Sequence, residues 1–342
     1  MSAWRGRVLA AFLVGAMPAA AQPADLPPAG WAQAWNYLVE SVCVDARDHA
    51  ISGTSPLGGT PRCVRTRKLR VGEALPYRKR DWPGAEDRAR YPGGYQQSDS
   101  FPVRTSSGLA VLQTTDFGDD RRKFGQFDLG DGGQVAVFSD TSVSMGLTED
   151  GGAGLQFFLG PNCQAMNAWV IVDRRFATQP AGDMVARITR NPAACPGRMG
   201  YAFTQWDVQP VDFRTSSGGR QGHAVLSTLI TEHYGGHTID AASNMERMYF
   251  TRELGYTRWE RWQNVTRRPS AADRQAAVTF ARTGRCEPQR PSPSTASEWV
   301  MIDCREWTQM APPAAPGGDP ASFWLDRLRR YPITQAMFPG AE

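Results

Sequence analysis

The sequence is poor in lysine and has no long apolar run after residue 21. Its lysines are Lys68, Lys79 and Lys123, so arginine carries nearly all of the positive charge. The longest later apolar runs, such as the one around Trp169 to Val172, have four or five residues, whereas a membrane-spanning helix needs about 20. We therefore expect no membrane span.

Several motifs that mark cofactor and metal sites are also absent. The sequence has no phosphate-binding loop, no dinucleotide fingerprint, no nucleophile elbow and no C-x-x-C pair. His233 and His237 have the spacing of a helical zinc pair, but Gly235 and Gly236 between them disfavour a helix. We expect neither a cofactor nor a bound metal.

The first 21 residues have the three parts of a secretory signal peptide. Arg5 and Arg7 precede an apolar run, and the small residues 19–21 end it. We predict cleavage after Ala21 and a periplasmic or secreted protein. Removing two arginines leaves 36 Lys and Arg against 34 Asp and Glu, a net charge of +2. A nearly neutral exported chain is not expected to bind nucleic acid.

Six cysteines follow the predicted cleavage point, and an even number in an exported protein predicts disulfides. Their clustering favours pairing between neighbours. Each bond would close a short loop and contribute about 3 kcal/mol. The predicted pairs are Cys43–Cys63, Cys163–Cys195 and Cys286–Cys304.

The N-terminal segment, residues 22–98, is rich in proline and arginine. Trp31, Trp35, Leu38 and Val42 recur at helical spacing and lead into Cys43, which predicts a helix. A basic stretch over residues 62–81 indicates a solvated irregular surface. At the other end, Asp319 and Pro320 are typical of a helix start, so residues 306–342 are predicted to be a helical tail.

Residues 99–305 contain short runs of strand-forming residues separated by Gly, Asp and Pro turns. Two longer segments, Asp183–Asn191 and Ser270–Arg282, are predicted helices. The predicted strands are Leu109–Thr115, Gln134–Phe138, Leu155–Phe158, Trp169–Val172, Ala224–Thr231, Glu246–Glu253, Tyr256–Trp262 and Trp299–Ile302.

Several short motifs occur twice in the same order, which predicts an internal duplication. The offset between copies rises steadily from 110 to 130 residues. We expect β unit 1 at residues 99–208 and β unit 2 at residues 209–305. Together they would form a mainly β, two-lobed antiparallel β-sandwich, jelly-roll-like, with a few short helices. The matched stretches are 104–108 with 214–218, 110–112 with 224–226, 115–118 with 231–235, 157–163 with 280–286, and 169–173 with 299–303.

The duplication singles out two carboxylates, since Asp116 and Glu232 occupy matching positions after a threonine. Two carboxylates across a cleft are what glycoside hydrolysis requires. We therefore predict an exported, carbohydrate-active protein, a glycoside hydrolase that acts on a polysaccharide between the two β units. His233 is a further catalytic candidate. The alternative interpretation is that both acids are surface turn residues.

Two other functions stay open. A polysaccharide lyase could use His233, Tyr234 and Arg247, with Arg247 neutralising a uronate. A non-catalytic periplasmic or envelope binding protein could hold an oligosaccharide or polysaccharide with Tyr234, His237, Arg247, Trp259 and Trp262. The alternation in the predicted hairpin places Tyr256, Arg258, Glu260 and Trp262 on one face. Such a row would serve either cross-strand pairing or sugar binding.

Overall fold

The computed structural model describes residues 29–57, 63–81, 96–105, 108–115, 123–130, 134–138, 145–146, 155–157, 168–190, 200–235, 238–267, 270–283 and 287–312. These residues form mainly β-structure, as the turn-separated runs predict. The predicted signal peptide, the 306–342 tail beyond residue 312, and Cys163 and Cys195 lie outside the described residues.

The N-terminal segment begins with a 3₁₀ turn, Ala29–Trp31, followed by helix α1, Ala32–Leu38. The helix buries Trp35 and Leu38, as their spacing predicts. It ends before Val42, because Val42 belongs to strand β1 (Ser41–Cys43), which pairs antiparallel with β2 (Thr66–Lys68). The predicted Cys43–Cys63 disulfide is confirmed. Cys304 is also disulfide-bonded, and its predicted partner Cys286 lies outside the described residues.

A first antiparallel meander runs through five strands in the order β4–β5–β6–β7–β10. Two short strands, β8 (Met145–Gly146) and β9 (Leu155–Phe157), come between β7 and β10 in the chain and pair with each other. The five strands are β4 (Gln96–Thr105), β5 (Gly108–Thr115), β6 (Lys123–Gly130), β7 (Gln134–Phe138) and β10 (Ala168–Asp173).

A second antiparallel meander follows in the order β12–β13–β14–β15–β16. A 3₁₀ turn, Val265–Arg267, and helix α2, Ala271–Thr283, separate β15 from β16. The helix confirms the prediction for Ser270–Arg282. The strands are β12 (Gly200–Ser217), β13 (Arg220–Tyr234), β14 (Asn244–Thr251), β15 (Gly255–Asn264) and β16 (Trp299–Glu306).

The two meanders begin with hairpins of different length. Val103 pairs with Ala110 in the first hairpin, and Phe213 pairs with Ala224 in the second. Two further residue pairs precede the turn in the first hairpin, and four precede it in the second. The second turn is Gly218-Gly219, whose φ angles of 58° and 78° are those of a type I′ turn.

Two short strands connect the meanders into one sheet. Strand β17 (Gln309–Ala311) pairs with β3 (Arg78–Arg80), which pairs with β4. On its other side β17 runs parallel to β12 at Ser216 and Ser217. The described strands therefore form one nearly closed sheet rather than a clear two-lobed sandwich, because β3 and β17 continue the hydrogen bonding from one meander to the next.

The main hydrophobic core includes residues from both faces of the second meander, and one part of it lies under α1 and β10. The Tyr37 hydroxyl is 3.1 Å from the Ser227 hydroxyl, and the Tyr37 ring meets Phe176 edge to face. Thr231 Oγ1 donates to the carbonyl of Ile171 in β10 at 2.9 Å. These contacts fix the N-terminal helix and the last strand of the first meander on the same face. The opposite face of the second meander carries the polar site described below.

The helix predicted at Asp183–Asn191 is wrong, because this segment forms strand β11 (Gly182–Arg190). Residues from Gly182 to Ile188 pair with β12, and β11 also runs parallel to β9. Gly182 allows this pairing, since an added Cβ would lie 2.6 Å from the Trp206 ring. The ladder to β12 thus outweighs the weak local preference for helix.

The basic stretch over residues 62–81 is not simply a solvated surface. Arg65 and Arg70 are exposed, as predicted. Lys79 is fully buried, and its ammonium donates to Glu40 Oε1 at 2.6 Å and to two carbonyls of the β14–β15 turn region. Lys68 donates to the carbonyls of Asn36 and Val39 at 2.7 and 2.8 Å. Both lysines tie the N-terminal segment to its surroundings.

Candidate functional site

Four strands of the second meander place polar side chains in register on one face. Gln205, Glu232, Arg247 and Glu260 stand opposite one another from β12 to β15. Because side chains alternate between the two faces of a strand, Tyr234 lies on this same face. Side chains from the β14–β15 hairpin, Arg247 and Glu260, therefore lie on the same face as Glu232 and Tyr234.

Glu232 is held by three hydrogen bonds. Its Oε1 accepts from Arg247 Nε at 2.7 Å, and its Oε2 accepts from the Tyr234 hydroxyl at 2.6 Å and from the Gln205 amide. Its exposed fraction is only 2%. Burial alone would raise the pKa of Glu232, but the Arg247 charge and the Tyr234 and Gln205 hydrogen bonds lower it overall. The carboxylate is fixed in its ionised form.

The ion pairs continue along the sheet as an alternating row, which we call the charge ladder: Glu232, Arg247, Glu260, Arg258 and Glu306. Arg247 Nη1 donates to Glu260 Oε2 at 3.0 Å, and Arg258 Nε donates to Glu260 Oε1 at 2.8 Å. Arg258 Nη1 donates to Glu306 Oε2 at 2.9 Å. Each member has 2% exposure or less.

Aromatic side chains complete the environment of the ladder. The Tyr249 hydroxyl and Trp262 Nε1 donate to Glu260 at 2.9 and 3.0 Å. The Arg247 guanidinium lies over the Trp262 ring, 5.3 Å from its centre. Burial would raise the pKa of Glu260, but Arg258 and Arg247 outweigh it and lower the pKa. The buried charges are thus paired and hydrogen-bonded, as a low-dielectric site requires.

A chain segment, residues 287–291, lies across the ladder, and we call it the strap. Arg247 Nη2 donates to the Pro291 carbonyl at 3.0 Å, and Arg258 Nη2 donates to the Glu287 carbonyl. The backbone nitrogen of Gln289 is 3.5 Å from Glu260 Oε1. The strap is exposed on its outer side except at Arg290, which is half-buried. Each ladder arginine therefore directs one N–H at main chain that separates it from solvent.

Four residues predicted to form the site come together. Glu232, Tyr234, Arg247 and Trp262 all belong to the ladder or its aromatic surroundings. Asp116 and His237 lie outside the described residues, so the proposed pairing of Asp116 with Glu232 stays a prediction.

Two other predicted site residues lie on the opposite face. His233 follows Glu232 in the strand, and burial lowers its pKa to about 3, so it is neutral at ordinary pH. Trp259 lies next to Glu260 and donates from Nε1 to Glu246 at 2.7 Å. The His233–Tyr234–Arg247 grouping is thus divided between the two faces of the sheet.

One member of the predicted aromatic row also leaves the face. A register shift pairs Tyr249 with Arg258 but Phe250 with Tyr256. Tyr256 consequently stacks on Phe250 in the main core, with ring centres 5.1 Å apart. Glu306 was missed because no local pattern in the sequence links β16 to Arg258.

A separate groove of about 660 Å³ lies between α2 and the start of β16. Val265, Val278 and Val300 form apolar walls, and Arg274 and Glu298 contribute the charged groups. Among the described residues that line this groove none is aromatic, so they supply no flat surface on which sugar rings stack.

Among the described residues, no cluster of His, Cys, Asp and Glu is arranged to hold a metal ion. Within the same part of the chain, no helix has the length and apolar character needed to cross a membrane. Comparisons with protein-family models, curated proteins and solved structures find no match. The function must therefore be argued from the geometry of the site.

Proposed function

We propose that this chain is an exported protein that binds a neutral polysaccharide or oligosaccharide without cleaving it, on the polar face of the second meander. One observation carries this proposal. Arg247 and Arg258 each donate one N–H to an uncharged main-chain carbonyl of the strap, at Pro291 and Glu287 respectively. A neutral, oxygen-rich ligand that took the place of these two carbonyls would meet the same donors.

The surroundings of Glu232 favour binding over hydrolysis. A general acid or nucleophile must reach the sugar and exchange protons near the working pH. Glu232 is 2% exposed, and its lowered pKa keeps it ionised. The next carboxylate, Glu260, is separated from it by Arg247. Hydrolysis in a cleft between the two β units remains the prediction for Asp116.

Neutrality of the site supports an uncharged ligand. Glu232, Glu260 and Glu306 are offset by Arg247 and Arg258, and the half-exposed Arg214 lies 3.3 Å from Glu306. A uronate would add an anion to a balanced face, whereas sugar hydroxyls exchange hydrogen bonds without adding charge. Trp262 and Tyr234 are buried beside these charges, so stacking of either ring on a sugar would require the site to open.

Export is proposed from the signal-peptide pattern and the disulfides. The Cys43–Cys63 bond and the bonded Cys304 are typical of proteins in oxidising compartments. The periplasm or the extracellular space is the proposed location.

We also infer that the two meanders arose by tandem duplication. Both run as five-stranded antiparallel meanders, and the pair Val103–Ala110 occupies the same register position as the pair Phe213–Ala224. The matched stretches 157–163 and 280–286 differ, because the first begins in a strand and the second in a helix. Trp169 and Trp299 both lie in the fifth strand.

A polysaccharide panel tests the proposal. The exported chain, purified from a bacterial periplasm, would be assayed for binding by calorimetry, and for reducing ends and unsaturated-sugar absorbance. We expect binding with neither product. Arg258→Lys, which keeps the charge but loses the fork, should weaken binding, and Arg220→Lys at the exposed hairpin turn is the matched control. Reducing ends would establish hydrolysis instead, unsaturated sugars would establish a lyase, and no binding would end the proposal.

A further inference from the structure

The strap resembles a bound ligand more than a structural layer. Residues 287–291 read Glu-Pro-Gln-Arg-Pro, and the two prolines restrict the backbone to an extended course. Four of its five residues are exposed to solvent. The ladder beneath is almost completely buried. The strap covers the charges while adding little to the hydrophobic core.

The hydrogen-bonding groups that the strap offers to the ladder belong to its peptide groups. The carbonyls of Glu287 and Pro291 accept from Arg258 and Arg247, and the Gln289 amide faces Glu260. The ladder therefore makes donor and acceptor contacts to amides. A glycan whose sugars carry acetamido groups presents the same carbonyl oxygen and N–H. A glycan with hydroxyls alone lacks the planar carbonyl that a guanidinium N–H meets here.

The strap can leave without dismantling the sheet. Its side-chain anchor is Arg290, which donates to Asp207 at 2.7 Å and lies 4.0 Å from Glu232. The Arg290–Asp207 pair is partly solvent-exposed, and such pairs contribute little. Beyond the strap, the hydroxyls of Ser294 and Ser297 both donate to Asp240 at 2.8 Å. This second anchor holds the chain before β16 independently of the strap.

We propose that the strap is an internal substitute for the ligand, and that the ligand is an N-acetylated oligosaccharide that displaces it. This inference rests on the proposed function. The acetamido groups take over the carbonyl contacts to Arg247 and Arg258, and the released strap moves into solvent while the Ser294 and Ser297 contacts to Asp240 hold the chain that follows it. The strap shields the buried charges while the site holds no glycan.

Two matched trisaccharides test the ligand class. Triacetylchitotriose and cellotriose have the same linkage and differ in the acetamido groups. We expect calorimetry to give at least tenfold tighter binding for triacetylchitotriose. Equal binding of the two sugars would overturn the assignment to N-acetylated glycans.

Hydrogen exchange measured by mass spectrometry tests the displacement. Saturating triacetylchitotriose should speed exchange in peptides that cover residues 287–291, and the variant Arg290→Ala should show faster exchange without ligand. Because a surface anchor is lost, this variant should bind the sugar about threefold to fivefold more tightly. Arg282→Ala, on the exposed side of α2, is the matched control and should change neither measurement.

The outcomes separate the inference from the function on which it rests. If triacetylchitotriose binds while strap exchange stays the same or slows, displacement is wrong and the binding proposal stands. If no glycan of the panel binds either the native chain or Arg290→Ala, the proposed function itself is wrong, whatever the strap does.

Discussion

Replacing Glu260 with glutamine should destabilise the protein more than any other single amide substitution in the ladder. Glu260 accepts hydrogen bonds from Arg247, Arg258, Tyr249 and Trp262 and has no exposure to solvent. Removing one partner of a buried ion pair costs about 3–5 kcal/mol, because the remaining charge is left uncompensated. Since two arginines lose a partner here, we expect a loss of about 5 kcal/mol.

The neighbouring carboxylates set a graded comparison. Glu232→Gln removes the charge bonded to Arg247 and 4.0 Å from the half-buried Arg290, and the Tyr234 and Gln205 contacts must rearrange, so we expect about 3 kcal/mol. Glu298→Gln changes an exposed carboxylate and should stay within about 0.5 kcal/mol. The free energies of unfolding would be measured by urea titration with tryptophan fluorescence and far-ultraviolet circular dichroism, at constant m-value.

A second variant tests the cause of the loss. Changing Arg258 and Glu260 together to Met and Leu removes the central pair and replaces it with apolar volume, which is often close to neutral for buried pairs. The double variant should recover part of the stability that Glu260→Gln loses. If Glu260→Gln falls within 1 kcal/mol of Glu298→Gln, the reasoning about the ladder is refuted.

The remaining predictions concern single positions. His233 has a folded pKa of about 3 against 6.5 for the unfolded chain, so the unfolded state binds the extra proton and stability falls as pH drops through this window. His233→Asn should flatten that loss between pH 6.5 and 5 in urea midpoints; an unchanged slope would contradict the assignment. Lys79→Met leaves the Glu40 carboxylate buried without the Lys79 ammonium. We expect the free energy of unfolding, measured by thermal and urea unfolding, to fall by about 3–5 kcal/mol. Arg70→Met, at an exposed ion pair, should lower it by about 1 kcal/mol or less. Gly219→Ala forces a side chain onto φ 78° and should cost about 1–2 kcal/mol, while Gly222→Ala, with open space around its Cβ and no positive φ, should not destabilise; equal effects would argue against the type I′ turn.

Local patterns predicted most of the described strands but not how they combine. Gln134–Phe138 was predicted with both of its ends, because alternating valines after an Asp-Gly-Gly sequence are a local signal. Asp183–Asn191 failed because its pairing with β12 is a long-range interaction. The nearly closed sheet was not predicted for the same reason, since residues 78–80 and 309–311 meet only in the folded sheet.

The site was predicted in its parts. Glu232 was selected because it lies in a repeated motif, and Tyr234 and Arg247 were selected as a binding or basic group and a cation near it; the three do come together. Their burial was not foreseen, because the arginine of this group also contacts Pro291, which lies 44 positions from Arg247 in the sequence. Strand alternation alone could have separated His233 from its two neighbours.

The longer second hairpin explains how the two meanders join in one sheet. Its extra residue pairs carry Ser216 and Ser217, the two positions at which β17 joins β12. In a hairpin as short as β4–β5, these two serines would form the turn and could not pair with another strand. The four added residues, two on each strand, thus provide the positions at which the two meanders join. Because the number added to each strand is even, every side chain beyond them stays on the same face of the sheet.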